Sequence, residues 1–148
     1  MRPSALATID SARVGRAIRR ALLAEQGVAT SVACPARPPR RAGYRFVCEA
    51  MLAVGSYAID VTETDARGGV RFSGRAPLRV LDAHAIERGI ERAMRSPHRR
   101  VAAIVCPAPV LAQAGLSFTC RGRTSGGRRS SFVVTEVDAN GSVRFAAS

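Results

Sequence analysis

The sequence predicts an α+β fold built twice, each half a helix packed on an antiparallel sheet of three to four strands and closed by one disulfide. Three observations carry this reading. Landmarks recur at a fixed offset along the 148 residues, hydrophobic spacing passes from a helical period to alternation within each half, and the four cysteines fall two to a half.

The repeat is anchored by Cys34-Pro35 over Cys106-Pro107 and Cys48 over Cys120, both at an offset of 72. Gly43 then falls on Gly115 and Phe46 on Phe118, while upstream Asp10 falls on Asp82, Arg16 on Arg88 and Ile18 on Ile90. Beyond the second cysteine the offset is 73: Val61-Thr62-Glu63 matches Val134-Thr135-Glu136, Asp65 matches Asp138, Gly68 matches Gly141, and Val70-Arg71-Phe72 matches Val143-Arg144-Phe145. One residue was gained in a turn. The expected units are 1–74 and 75–148, joined at Ser73-Gly74-Arg75-Ala76-Pro77, where glycine and proline interrupt both periodicities.

Each unit opens with a helix. Asp10 is a capping residue, and Ile9 and Val14 stand at the two positions of a hydrophobic staple; Leu81, Asp82 and Ile86 repeat the device. Val14, Ala17, Ile18, Ala21 and Leu22 form one apolar stripe, as do Ile86, Gly89, Ile90, Ala93 and Met94. Gly27 suits a left-handed stop in the first helix, and Ser96-Pro97 is the expected stop of the second.

Strands follow. Thr30 to Cys34 and Ala102 to Cys106 read as short strands ended by proline. The next strand sets Tyr44, Phe46 and Cys48, or Leu116, Phe118 and Cys120, on one face, so its cysteine points inward. A hairpin closes each unit. Ala58 to Thr64 turns through Asp65-Ala66-Arg67-Gly68 into Val70 to Phe72, and Phe132 to Val137 turns through Asp138-Ala139-Asn140-Gly141 into Val143 to Phe145.

Four cysteines admit three pairings. A unit that arose as a self-sufficient repeat carries its own bridge, which favours Cys34 with Cys48 and Cys106 with Cys120. Closing loops of about 15 residues contributes roughly 3 kcal/mol each, a large share for a unit that buries little core. Four reduced thiols in a cytoplasmic protein are the competing reading. A zinc site is disfavoured, because no C-x-x-C pair is present and the thiols would have to converge from both units.

With these residues in place the chain resembles a known family. The order Val32-Ala33-Cys34-Pro35, Gly43-Tyr44-Arg45-Phe46-Val47-Cys48 and Val61-Thr62-Glu63-Thr64-Asp65 is similar to the actinobacterial domain of unknown function family 4333. Ile104-Val105-Cys106-Pro107, Gly115-Leu116-Ser117-Phe118-Thr119-Cys120 and Val134-Thr135-Glu136-Val137-Asp138 present the same order again, so the resemblance covers nearly the whole chain twice. It implies an extracytoplasmic setting, secreted or in the cell envelope, with one disulfide per module and no known enzymatic activity. Two features depart from it: no signal peptide or lipobox is visible near Met1, and the chain is more basic than an envelope domain is expected to be.

The formal net charge is +12, and every basic residue is arginine. Arginine- and alanine-rich usage is what a GC-rich genome produces, yet a surface so charged favours anionic partners such as nucleic acid, acidic polymers or lipid headgroups. Eleven arginines stand against six acids in residues 1–74 and twelve against five in residues 75–148, so the halves carry +5 and +7. Clusters stand at Arg37, Arg40 and Arg41, at Arg99 and Arg100, and at Arg121, Arg123, Arg128 and Arg129. The last four flank one Gly-Ser turn, with Gly122 to Gly127 read as its hairpin loop, and are the candidate anion site. No apolar run approaches the roughly 20 residues of a membrane span.

No catalytic, metal or cofactor motif is found. His84 and His98 have no counterparts in the other half and read as surface residues. Glu63 and Glu136 recur, as do Asp65 and Asp138; paired carboxylates can serve as acid and base, but the turns already account for the aspartates. Phe46, Phe72, Phe118, Phe132 and Phe145 alternate on strands and read as core rather than a base-stacking platform.

The expected function is therefore a non-enzymatic extracytoplasmic interaction module that binds an anionic partner, such as an acidic envelope polymer or another polyanion. The alternatives are a cytoplasmic nucleic-acid-associated protein with reduced cysteines and a hydrolase using the recurrent carboxylates.

Overall fold

A computed structural model describes residues 7–96 and 100–148. The order of elements is α1 (Ser11–Gln26), β1 (Ser31–Ala33), β2 (Arg45–Met51), β3 (Ser56–Glu63), β4 (Val70–Gly74), α2 (Ala83–Ala93), β5 (Val101–Val105), β6 (Ser117–Thr124), β7 (Arg129–Glu136) and β8 (Val143–Ala147). The chain is α+β. It forms two four-stranded antiparallel sheets, ordered β1-β2-β3-β4 and β5-β6-β7-β8, and two compact units. The first comprises the chain to Leu52 with Ser56–Leu78, the second Ala53–Gly55 with Arg79–Ser148. Within the second, Val54 accepts from Leu111 N at 2.9 Å and donates to Pro109 O at 3.2 Å.

In the first unit the cap forms as its chemistry requires. Asp10 accepts from Ala12 N and Arg13 N, Gly27 closes α1 at φ 66°, and the staple residues Ile9 and Val14 are both buried. Val14, Ile18 and Leu22 then pack on Phe46, Cys48, Ala50, Ile59 and Val61 of the sheet. Gly15 is buried too, and a Cβ there would lie 3.3 Å from Val32 O, so the helix approaches β1 closely. The linker expectation is corrected: Ser73 and Gly74 belong to β4, paired with Asp60 and Ile59. β3 is eight residues long and leaves ladder partners for them, and the Tyr57 ring lies where a side chain on Gly74 would stand.

In the second unit Asp82 accepts from Ala85 N, and Ile86 and Ile90 are buried against Cys120, Phe132 and Val134. The helix ends at Ala93, where Met94 leaves helical geometry at φ −91°, ψ 3°, ahead of the expected stop at Ser96; Pro97 lies outside the described residues. Ala93, expected in the stripe, is exposed. The expected loop over Gly122 to Gly127 is also corrected. β6 continues through Thr124, and Gly122 is an inward strand position where a Cβ would stand 2.5 Å from Cδ1 of Ile104. The reversal is confined to Ser125 through Arg128, with Gly127 N donating to Thr124 O and Thr124 N to Arg128 O.

Both expected disulfides are present, Cys34–Cys48 and Cys106–Cys120. Ala33 pairs with Glu49 and Val105 with Arg121, so each bridge continues the ladder by one position across neighbouring strands. Cys48 and Cys120 are fully buried and anchor the bridges in the cores.

Candidate functional site

Alternation along the second sheet sorts its residues onto two faces. On β6, Phe118, Cys120 and Gly122 point inward, leaving Ser117, Thr119, Arg121 and Arg123 exposed on the outer face. The register with β7 sets Arg123 opposite Arg129 and Arg121 opposite Ser131. Arg128 sits in the intervening turn, and Arg144 is exposed on β8 opposite Thr135. The single acidic residue of the four strands is Glu136, which is turned inward and buried.

This arrangement is electrostatically costly. Directly opposed residues of an antiparallel pair stand about 4.5–5.5 Å apart at Cα, and like charges there destabilise the pair. Arg121 lies two residues along the same strand, about 7 Å away. Among the described residues none of these guanidiniums forms an ion pair with a carboxylate. Arg100 is exposed one residue before Val101, which pairs with Thr124 at this end of the sheet; Arg99 lies outside the described residues.

The outer face of the first sheet is different. Glu49 and Asp60 alternate there with Arg45 and Val47, and Arg75 reaches Asp60 at 2.7 Å, a hydrogen bond that holds the Asp60 carboxyl below the usual carboxylate range. The cluster at Arg37, Arg40 and Arg41 is partly engaged in structure. Arg41 stacks 5.5 Å from the centre of the Tyr44 ring, and the Arg40 side chain lies over Gly68.

The recurrent acids hold loops. Asp65 accepts from Arg67 N and Gly69 N, and Asp138 from Asn140 N and Ser142 N, which lowers the affinity of both carboxyls for protons. Glu63 and Glu136 are each 1% exposed. Oε1 of Glu63 accepts from Arg41 N and Oε1 of Glu136 from Gln113 N, both at 2.8 Å, so each pins the loop enclosed by its disulfide. Among the described residues Oε2 of each has no hydrogen-bond partner, and burial pushes the Glu136 carboxyl above the usual carboxylate range.

His84 is exposed with Nδ1 2.9 Å from Glu87 Oε1, and His98 lies outside the described residues. Phe46, Phe118 and Phe132 are buried, while Phe72 and Phe145 pack half-buried against the same cores. Among the described residues no group of His, Cys, Asp and Glu could hold a metal ion, and no helix is long and apolar enough to cross a membrane.

Arg144 stands outside the predicted arginine cluster, although its neighbours Val143 and Phe145 carry the signal: two apolar residues flanking an arginine on a strand turn it outward. No family model, curated protein or solved structure matches the chain.

Proposed function

We propose that the chain is a tandem duplicate of a disulfide-stapled module, that it works outside the cytoplasm without enzymatic activity, and that the outer face of its second sheet binds an anionic polymer. The observation that carries the binding role is the opposed pair Arg123 and Arg129 with Arg121 and Arg128 beside them and no outward acid on the strands. Strand pairing does not need these charges, and an anion laid across them removes their mutual repulsion. The disulfides favour the extracytoplasmic setting, since reducing compartments keep thiols open. The matching strand order and bridge position of the two units support the duplication.

The test is fluorescence anisotropy with labelled polyphosphate across a salt series, comparing wild type with Arg121, Arg123, Arg128 and Arg129 all replaced by serine. Wild-type affinity should fall steeply with salt, and the variant should lose about 0.7–0.9 of logarithmic slope for every phosphate contact removed. Binding that ignores salt, or that the variant retains, overturns the assignment.

A further inference from the structure

The second unit contains an open groove of about 800 Å³ between α2, the Asp138–Ser142 turn and β8. This is within the roughly 300–1,000 Å³ range of small-molecule sites. Leu81, Ile86, Ile90, Val143 and Phe145 line it, with Arg79, Asp82 and Asn140 among its polar residues. The following comparison rests on the duplication proposed above, which makes the first unit an internal reference.

At four lining positions the second unit has the smaller residue. Ala85, Gly89, Ala112 and Asn140 stand where the first unit has Arg13, Ala17, Arg40 and Arg67. The effect is visible at the turns. A Cβ on Gly68 would lie 3.8 Å from Nε of Arg40, which therefore covers that turn, whereas a Cβ on the equivalent Gly141 would have nothing within 4 Å.

Gly89 points the same way. It lies inside α2, where alanine is the better helix former. Its backbone is not left-handed, and a Cβ would meet nothing within 4 Å. Neither conformation nor packing requires glycine here; its one consequence is room in the groove.

Arg79 and Ile86 change in the opposite sense, standing where the first unit has Ala7 and Val14, and among the described residues Arg79 forms no ion pair. Asp82 is common to both units as Asp10 and is occupied in capping α2. The second unit has thus lost bulk over an apolar floor, the counterparts of Arg13, Arg40 and Arg67 included, and Arg79 is the single cation among the groove's lining residues.

We infer that this groove binds the hydrocarbon chain of an anionic amphiphile, with Arg79 holding its carboxylate or phosphate head. The test is isothermal titration calorimetry of the full chain with dodecanoate, dodecyl phosphate, dodecanol and dodecyltrimethylammonium below their micelle concentrations. A separate arm uses vesicles containing anionic phospholipid, which distinguishes a lipid taken from a membrane from a free amphiphile.

Saturable binding of both anionic probes is expected. Ala112→Arg restores the side chain that covers the equivalent space in the first unit and should weaken binding by about tenfold or more. Arg79→Ala should weaken the anionic probes and leave dodecanol unchanged. Thermal unfolding of each variant shows that the fold survives, and Gly89→Ala should raise the midpoint while weakening binding. Replacing Arg121, Arg123, Arg128 and Arg129 with serine should leave amphiphile binding intact, so failure of this site and failure of the polymer site read out separately. The inference is overturned by absent binding, by equal affinity in Ala112→Arg, by preference for the ammonium probe, or by binding to vesicles without binding to monomeric anionic probes.

Discussion

Reducing the disulfides should destabilise the protein through β1 and β5. β1 has only three residues and three ladder pairs with β2, and the Cys34–Cys48 bridge adds the next position of the same register. In both units the bonded cysteines are 14 residues apart, enclosing the loop that Glu63 or Glu136 pins. Opening such a loop restores chain entropy to the unfolded state worth about 3 kcal/mol. For a domain of this size each kcal/mol shifts the midpoint by about 4–8 °C, so the expected fall is about 12–24 °C. The assay is thermal and urea unfolding with and without a phosphine reductant, on wild type and on Cys34→Ala/Cys48→Ala and Cys106→Ala/Cys120→Ala variants. Each variant should be insensitive to reductant at the bridge it lacks, and amide exchange in β1 should accelerate first. A loss below about 1 kcal/mol on full reduction would refute the reasoning, because the loop entropy alone exceeds it.

Glu136→Gln tests the buried carboxyl by urea unfolding from pH 4 to 8. Burial raises the folded-state proton affinity of Glu136, so its contribution is full below the unfolded carboxylate value of about 4.3 and is lost as pH rises through the higher folded value. The wild-type stability relative to the variant should therefore fall across that window, and a flat difference rejects the assignment. Gly122→Val places atoms against Ile104 and should cost about 1–3 kcal/mol in chemical denaturation; an unchanged midpoint would show that β6 does not pack there. Asp10→Ala and Asp82→Ala should each remove about 1 kcal/mol of stability by losing a helix cap, read by urea unfolding followed by circular dichroism.

Much of the architecture is local and so was readable in the chain. The caps at Asp10 and Asp82, the stripes through Ile18 and Ile90 and the alternation around Phe46 and Phe118 depend on neighbours within a few residues, where periodicity and side-chain chemistry act directly. The cysteine pairing followed from recurrence, and the Asp65 and Asp138 turns from their own side chains. What the sequence could not carry was contact between distant segments. Gly122 reads as a turn glycine in the sequence, but Ile104 lies where its Cβ would be, and Ser73-Gly74 reads as a linker, but Asp60 and Ile59 pair with these residues. Arg121, Arg123, Arg128 and Arg129 were recognisable as a cluster, but that Arg123 opposes Arg129 without an outward acid is a property of register. The groove beneath Arg79 is further still from sequence, because it is the space left when Ala85, Gly89 and Ala112 come together from two segments. Local chemistry determines the elements of this protein; empty space and cross-strand charge exist only once those elements have been brought into contact.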